Sequence, residues 1–272
     1  MTKKLLQIYR NLPFFKGKAK LGKVLFKNLI NKNNEIEFKA HYTLKYKIPN
    51  TLESLGVELI LTGTYENNIV KFLKSNIKAG DIYFDIGANI GAMGLPVIKN
   101  KINVRYFAFE ASPIVFEYLQ YNFSRNKIKN SFLYNNVVHE DDDQAMKFYQ
   151  FEKYGKCSLA PTFTKEHIFV DSISLDSFCN NNSIPLINWI KIDVQGFELF
   201  VFKGLNKFLK NKKVENILFE FEPWEEVEAG LGKGAAQQYL ISLGYDLFDI
   251  NGNKFSQIIT GERTMIWARP SL

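Results

Sequence analysis

Two spacings of apolar positions run through this chain. Short apolar runs at Ile82–Phe84, Asn103–Phe109, Ser131–Asn135, Trp189–Val194 and Asn216–Phe221 have the length and the β-branched and aromatic content of strands. Helical stripes separate them: Pro113–Phe123 with its proline in the first turn, a helix from Glu198 through Leu205, and Ala235–Leu243 after the glycine-rich Gly230–Gly234. Strands alternating with helices predict a parallel sheet covered on both faces. Ahead of this body, residues 3–30 read as two short helices parted by Pro13 and Gly17. In the second of them Leu21, Val24, Leu25 and Leu29 share one face. Asn31–Glu35 is a polar break. Phe38–Ile48 alternates as a strand that pairs with Val57–Leu61 in a hairpin, and His41 lies in it as an exposed residue. Thr64 then reads as the N-cap of a helix Tyr65–Ile77.

The candidate chemistry concentrates in Asp81–Gly94, DIYFDIGANIGAMG. A strand ending in Asp85 runs into Gly87, Asn89, Gly91 and Gly94 and opens a helix, a turn that lets a nucleotide approach backbone N–H groups. Glu110, with Ala111 beside it, ends the next strand, where a carboxylate takes the two hydroxyls of a ribose. The site asks for an adenosine. A dinucleotide turn wants a glycine where Asn89 stands, and Asp85 repels a pyrophosphate. A carboxylate suits a cationic ligand such as S-adenosylmethionine, which carries an ammonium, a sulfonium and no phosphate.

The segments Asp85–Gly91, Phe109–Pro113, Ile173–Asp176 and Ile190–Glu198 (IKIDVQGFE) together resemble the FkbM family of methyltransferases, over roughly Gly63 to Glu222. Two departures stand out. Glu110-Ala111-Ser112-Pro113 replaces Glu-Pro, and Asp193-Val194-Gln195-Gly196 replaces Asp-Val-Glu-Gly. The resemblance implies a Rossmann-like class I methyltransferase fold: a seven-stranded, mostly parallel sheet with an antiparallel last strand and helices on both faces. Tyr245–Ile250 and Thr264–Ala268, joined by Asn251-Gly252, suit the antiparallel last pair. It also implies S-adenosylmethionine as cofactor, O-methylation of a sugar or similar hydroxyl, and approach of Tyr65 and Glu66 to the cofactor.

In that architecture Asn136, at the tip of the third strand, either bonds the adenine or forms a plain Asn turn. Lys191 and Asp193 alternate onto one face of an otherwise apolar strand. They pair with each other, or Asp193 faces the transferring methyl and orients or deprotonates the acceptor. Glu198 either caps the following helix or assists the acceptor. Gln144–Phe178 departs from the helix expected there: strands Met146–Phe151 and Ile168–Ser174 flank a loop, read as an acceptor-side insertion over residues 144–178. Lys156, Ser158 and His167 are its candidate contacts, with His167 the histidine suited to a general base.

Composition narrows the partners. Of 35 Lys and Arg, 12 fall in residues 1–50 against Glu35 and Glu37, which leaves the remaining 222 residues at −3 in a chain of net +7. The expected division is a basic helical extension, 1–50, and a methyltransferase domain, 51–272. An acidic catalytic body argues against nucleic acid, and so against an RNA ribose 2′-O-methyltransferase using Asp193, Lys203 and Glu220. Asp193-Val194-Gln195-Gly196 also lacks the Asp/Asn-Pro-Pro-aromatic run of amine-methylating enzymes. The basic helices of residues 1–30 leave three alternatives open: peripheral contact with an anionic membrane, an acidic partner, or docking on the protein's own domain. A non-catalytic partner-binding module has no need of Asp85, Glu110 and Asp193. Cys157 and Cys179 are too few for a disulfide framework or zinc site, and Glu220, Glu222 and Asp193 are not expected to hold a metal. With no apolar run of membrane-spanning length, the expectation is a cytoplasmic protein taking a small-molecule or glycan acceptor.

Overall fold

The computed structural model describes residues 2–13, 15, 17–143 and 145–271. Met1, Phe14 and Lys16 of the expected extension and Gln144 of the expected insertion lie outside the described residues. Helices α1 (Thr2–Asn11) and α2 (Lys18–Leu25) lead to strands β1 (Ile36–Lys39) and β2 (Lys45–Ile48) and helices α3 (Ser54–Thr62) and α4 (Asn67–Asn76). The first half of the body is β3 (Ile82–Ile86), α5 (Gly94–Ile98), β4 (Arg105–Phe109), α6 (Pro113–Arg125) and β5 (Ser131–Tyr134). Short strands β6 (Val137–Val138), β7 (Met146–Tyr149), β8 (His167–Val170) and β9 (Ser172–Ile173) follow, then α7 (Leu175–Asn181). The second half is β10 (Trp189–Ile192), α8 (Glu198–Gly204), α9 (Asn206–Lys210), β11 (Ile217–Phe221), α10 (Pro223–Glu228), α11 (Ala235–Ser242), β12 (Tyr245–Phe248) and β13 (Thr264–Pro270).

Seven strands form the central sheet in the order β12-β13-β11-β10-β3-β4-β5. All neighbours from β5 to β11 are parallel, and β13 runs antiparallel between β11 and β12. This is the expected Rossmann-like methyltransferase sheet. Strand order reverses between β3 and β10, so a crevice opens at their carboxyl ends. Alternation along the strands feeds two cores: Phe84, Phe107, Ile190 and Phe219 on one face, Tyr83, Tyr106 and Leu218 on the other. Leu6, Tyr9, Phe26, Leu44, Tyr46 and Ile48 of the N-terminal segment join the second of these.

Three local expectations are corrected. Phe38–Ile48 is not one strand paired with Val57–Leu61: a turn at His41–Thr43 folds β2 back on β1, and Val57–Leu61 lies in α3. Glu53 begins that helix by accepting the Ser54 N–H at 2.7 Å, and burial of Leu55, Val57, Leu59, Ile60 and Leu61 explains an apolar run that periodicity alone cannot distinguish from a strand. Within the turn His41 is half-buried, its ring against Gly63. Helix α4 begins at Asn67 rather than Tyr65, and Thr64 does not cap it, because Glu66 sits in the left-handed region (φ 43°) at the N-cap position. The segment expected to be a strand through Ser174 breaks into β8 and β9 and yields to α7, whose N-cap Ser174 accepts the Ser177 N–H.

Candidate active site

Beneath the crevice lies a buried ion pair. Lys191 on β10 stands opposite Asp85 on β3 in the strand register, with Nζ 3.4 Å from the Asp85 carboxylate, 3.5 Å from Asp193 and 3.1 Å from the Gly87 carbonyl. Tyr106 Oη donates to Asp85 at 2.7 Å. Burial opposes the Lys191 charge, but Asp193, Asp85, Glu220 and Glu66 together hold the ammonium above its ordinary value. Asp85 itself is buried and does not line the cavity. Its expected contact with the ligand is corrected: it fixes Lys191, and through it the Gly87 turn.

That turn forms the first wall. Gly87 has φ 73°, and a Cβ there would lie 1.9 Å from the Asp193 carbonyl oxygen, so only glycine fits. Asn89 is also left-handed, φ 52°, a conformation asparagine tolerates well among residues with a Cβ. This accounts for asparagine where a dinucleotide turn has glycine. The Asn89 N–H donates to Glu110 at 2.9 Å, and the Ser112 N–H donates to the other Glu110 oxygen at 2.9 Å. Two backbone donors thus lock the carboxylate while leaving lone pairs for two hydroxyls. Burial pushes Glu110 up to about 7 against those bonds. Asn135 braces the backbone by donating to the Glu110 and Ala111 carbonyls at 2.8 and 3.0 Å. Ala111 and Asn136 line the cavity, whereas Gly91 packs away from it against Phe123.

The second wall is charged. Asp193, just past the end of β10, lines the cavity with its side chain 21% exposed. Burial opposes its charge, yet Lys191, hydrogen bonding from Glu220, Arg263 and Gln195 outweigh that and hold it below its ordinary value. Arg263, in the segment before β13, pairs with Glu220 and lies 3.3 Å from Glu66. Tyr65 lines the cavity, and Glu66 faces the adjoining groove. Of the two alternatives for Glu198, the structure places it on the backbone: it is buried away from the cavity and accepts the Val194 N–H at 3.0 Å just ahead of α8, holding the turn that carries Asp193.

The outer rim comes from α3, the 154–159 segment and α10. Glu53, Tyr154, Lys156, Ser158, Trp224 and Glu225 all line the cavity here. One Glu53 oxygen and the Tyr154 hydroxyl are buried with no hydrogen-bond partner among the described residues. Lys156 Nζ sits 5.4 Å from the Phe163 ring centroid and 5.6 Å from that of Trp224, which ties the insertion to α10. Glu225 is pushed up to about 7 by burial and then by Asp193. His167 is corrected as a base: it is exposed on β8, bonds the Lys165 carbonyl at 3.1 Å and is absent from the cavity wall. Glu53, Tyr154, Arg263, Trp224 and Glu225 carried no signal in the sequence, since each reaches the cavity from an unrelated segment.

These residues fit S-adenosylmethionine on three counts: open lone pairs on Glu110, a turn no side chain other than glycine's can enter at 87, and the ionised carboxylate of Asp193 for a cationic end, with burial and Asp193 pushing Glu220 up to about 9. A hexuronic acid methyltransferase of Haloferax volcanii, AglP, is 27% identical over 146 residues, covering 54% of this chain and 59% of that protein. The chain therefore spans about three-fifths of the length of this curated relative. Among solved structures, the METTL16 methyltransferase domain superposes with TM-score 0.48 at 12% identity, covering 94% of this chain and 79% of that one. TYW2 of M. jannaschii in complex with AdoMet gives TM-score 0.40 at 15% identity, covering 89% and 87%. The methyltransferase FkbM domain model matches residues 85–247, more than half of the sequence. The chain belongs to the FkbM methyltransferase family, whose members draw their methyl group from S-adenosylmethionine.

Proposed function

We propose that this protein O-methylates a hydroxyl of a sugar, glycan or related small molecule. The observation that carries the reading is Asp193: a carboxylate held ionised at the carboxyl end of the switch-point strand, with an open side facing the cavity. S-adenosylmethionine supplies the methyl as a sulfonium, and in-line displacement leaves the protein chiefly the work of positioning. An ionised Asp193 accepts a hydrogen bond from the acceptor hydroxyl and aims its oxygen. Glu225, with a proton affinity near neutral pH, is the better matched group to take the proton. Glu53, with its unpartnered oxygen, supports binding of further hydroxyls, and Lys156 supplies a cation for an acidic sugar. The name of the Haloferax relative favours that acceptor class. Six carboxyl groups, Glu53, Glu110, Asp193, Glu220, Glu222 and Glu225, line the cavity with three cations, a poor setting for polyphosphate substrates.

Calorimetric titration with S-adenosylmethionine, followed by turnover on hexose and hexuronic acid glycosides, tests the reading. Asp193→Asn is expected to lower turnover by about 10²–10⁴-fold while cofactor affinity, which loses the charge facing the cationic end, falls only about tenfold. Absence of cofactor binding in the unaltered protein would overturn the assignment. Equal loss of binding and turnover in the variant would make Asp193 structural.

A further inference from the structure

Helix α2 docks on the protein by the side opposite to its apolar stripe. Lys18, Gly22 and Phe26 are buried, the helix packing on α3, while Leu21, Val24 and Leu25 are exposed, Val24 by 71%. Helix α1 and the residue after it also leave aliphatic side chains outside, although the inner side of α1 is itself largely apolar. Leu6, Tyr9 and Arg10 are buried, and Leu5, Ile8 and Leu12 are exposed, Ile8 by 57%. Arg10 hydrogen-bonds the Lys39 carbonyl at 2.6 Å and Lys18 Nζ the Leu12 carbonyl at 2.6 Å, so buried cations secure the inner side while large aliphatic side chains face water. In α2 this inverts the ordinary arrangement of a surface helix. Lys4, Lys20, Lys23 and Lys27 are exposed alongside, and no Asp or Glu occurs before Glu35.

We infer that α1 and α2 seat the protein on an anionic lipid surface. Exposed Leu, Ile and Val flanked by lysine, with no carboxylate among them, is the composition that inserts into the headgroup region and draws on anionic lipids. A second copy of the chain is the poorer occupant, because two such faces bring like charges together. Helix α3, on which both helices pack, supplies Glu53, Ser54 and Leu55 to the cavity rim, so the lipid-facing pair is coupled to the acceptor side.

Co-sedimentation of the full chain with vesicles tests this. Phosphatidylcholine vesicles are compared with vesicles in which about a third of the lipid is phosphatidylglycerol, at low and high salt. The expected result is at least tenfold stronger partition onto the anionic vesicles, weakening as salt rises. Val24→Glu with Leu25→Glu is expected to cut partition about tenfold, with cofactor binding and thermal midpoint unchanged because both positions are solvated. Leu5→Glu with Ile8→Glu repeats the measurement on α1. No partition onto anionic vesicles, or partition indifferent to both pairs of substitutions, overturns the inference. A solution dimer dissociated by the α2 pair also overturns it and assigns the face to a second copy.

Discussion

The two walls of the cavity are built on different principles. On the Gly87–Glu110 wall, backbone donors fix the functional carboxylate: Asn89 and Ser112 bond Glu110, Asn135 braces the chain behind it, and the Gly87 backbone seats on Asp193. On the opposite wall, charge does the fixing. Asp85, Asp193, Glu220 and Glu66 surround Lys191 and Arg263, and the fields of the carboxylates hold Lys191 charged against burial. The first wall is rigid before any ligand arrives. The second is a poised electrostatic site, complementary to a cation and costly to unbalance.

The severest way to unbalance it is Lys191→Met. Removing one partner of a buried pair leaves the Asp85 carboxylate uncompensated, and loss of roughly 3–5 kcal/mol of stability is expected. Denaturant unfolding at constant m reads it directly. Adding Asp85→Asn to the same chain should recover part of the loss, because the stranded charge is then gone. A loss below about 1 kcal/mol would show that water reaches the pair, and the contrast between the walls would fail.

The walls also differ in how far the sequence revealed them. The Gly87–Glu110 wall was legible because it is local: a strand, a turn with fixed φ requirements and the next strand tip lie within Asp85–Glu110. The sheet was legible for the same reason, and the family match from 85 to 247 bears out both the resemblance and the fold. On the charged wall Asp85, Glu66 and Glu220 were visible singly, but the one pairing that could be read was Lys191 with Asp193, neighbours along one strand. Glu66 and Arg263 meet across 197 positions of sequence, and Lys156 meets Trp224 only because the insertion folds over α10. Asp85 was expected to face the ligand, and Glu198 either to cap its helix or to reach the acceptor. A carboxylate at a strand end reads as ligand-facing, yet the register turns Asp85 onto Lys191, and Glu198 is spent on the Val194 N–H. The apolar stripe of the second N-terminal helix was visible as a stripe, but sequence cannot tell which side of a short helix finds a neighbour.

The backbone-fixed wall is probed by pH. With Glu110 at about 7 in the folded protein, its ionised form, the one able to accept two hydroxyl protons, declines as pH falls through that value. If only this form binds, cofactor affinity is expected to be about tenfold weaker at pH 6 than at pH 8. Glu110→Gln should flatten the profile, which separates it from Glu225, also near 7. The linkage has the opposite sign for the empty fold. Since the folded state holds this proton more tightly than the unfolded chain, its contribution to stability falls as pH rises from about 4.5 towards 7. Affinity independent of pH in the unaltered protein would mean that the ribose hydroxyls bond elsewhere.

The smallest effect is expected at the rim, where neither backbone nor buried charge fixes the geometry. Trp224 is 39% exposed, its ring edge-on to Phe163 at 5.9 Å and beneath the Lys156 ammonium. Trp224→Ala removes an aromatic surface beside the cavity and releases Lys156 and the insertion from α10. Loss of roughly 1–2 kcal/mol of acceptor binding is expected, read as a severalfold to thirtyfold rise in the acceptor KM. Because no Gly87–Glu110 contact involves this ring, cofactor affinity should stay constant. A parallel loss of cofactor affinity would show that rim and cofactor walls are mechanically linked. An unchanged KM would move the acceptor off α10, towards Glu53 and Tyr154 of the same rim.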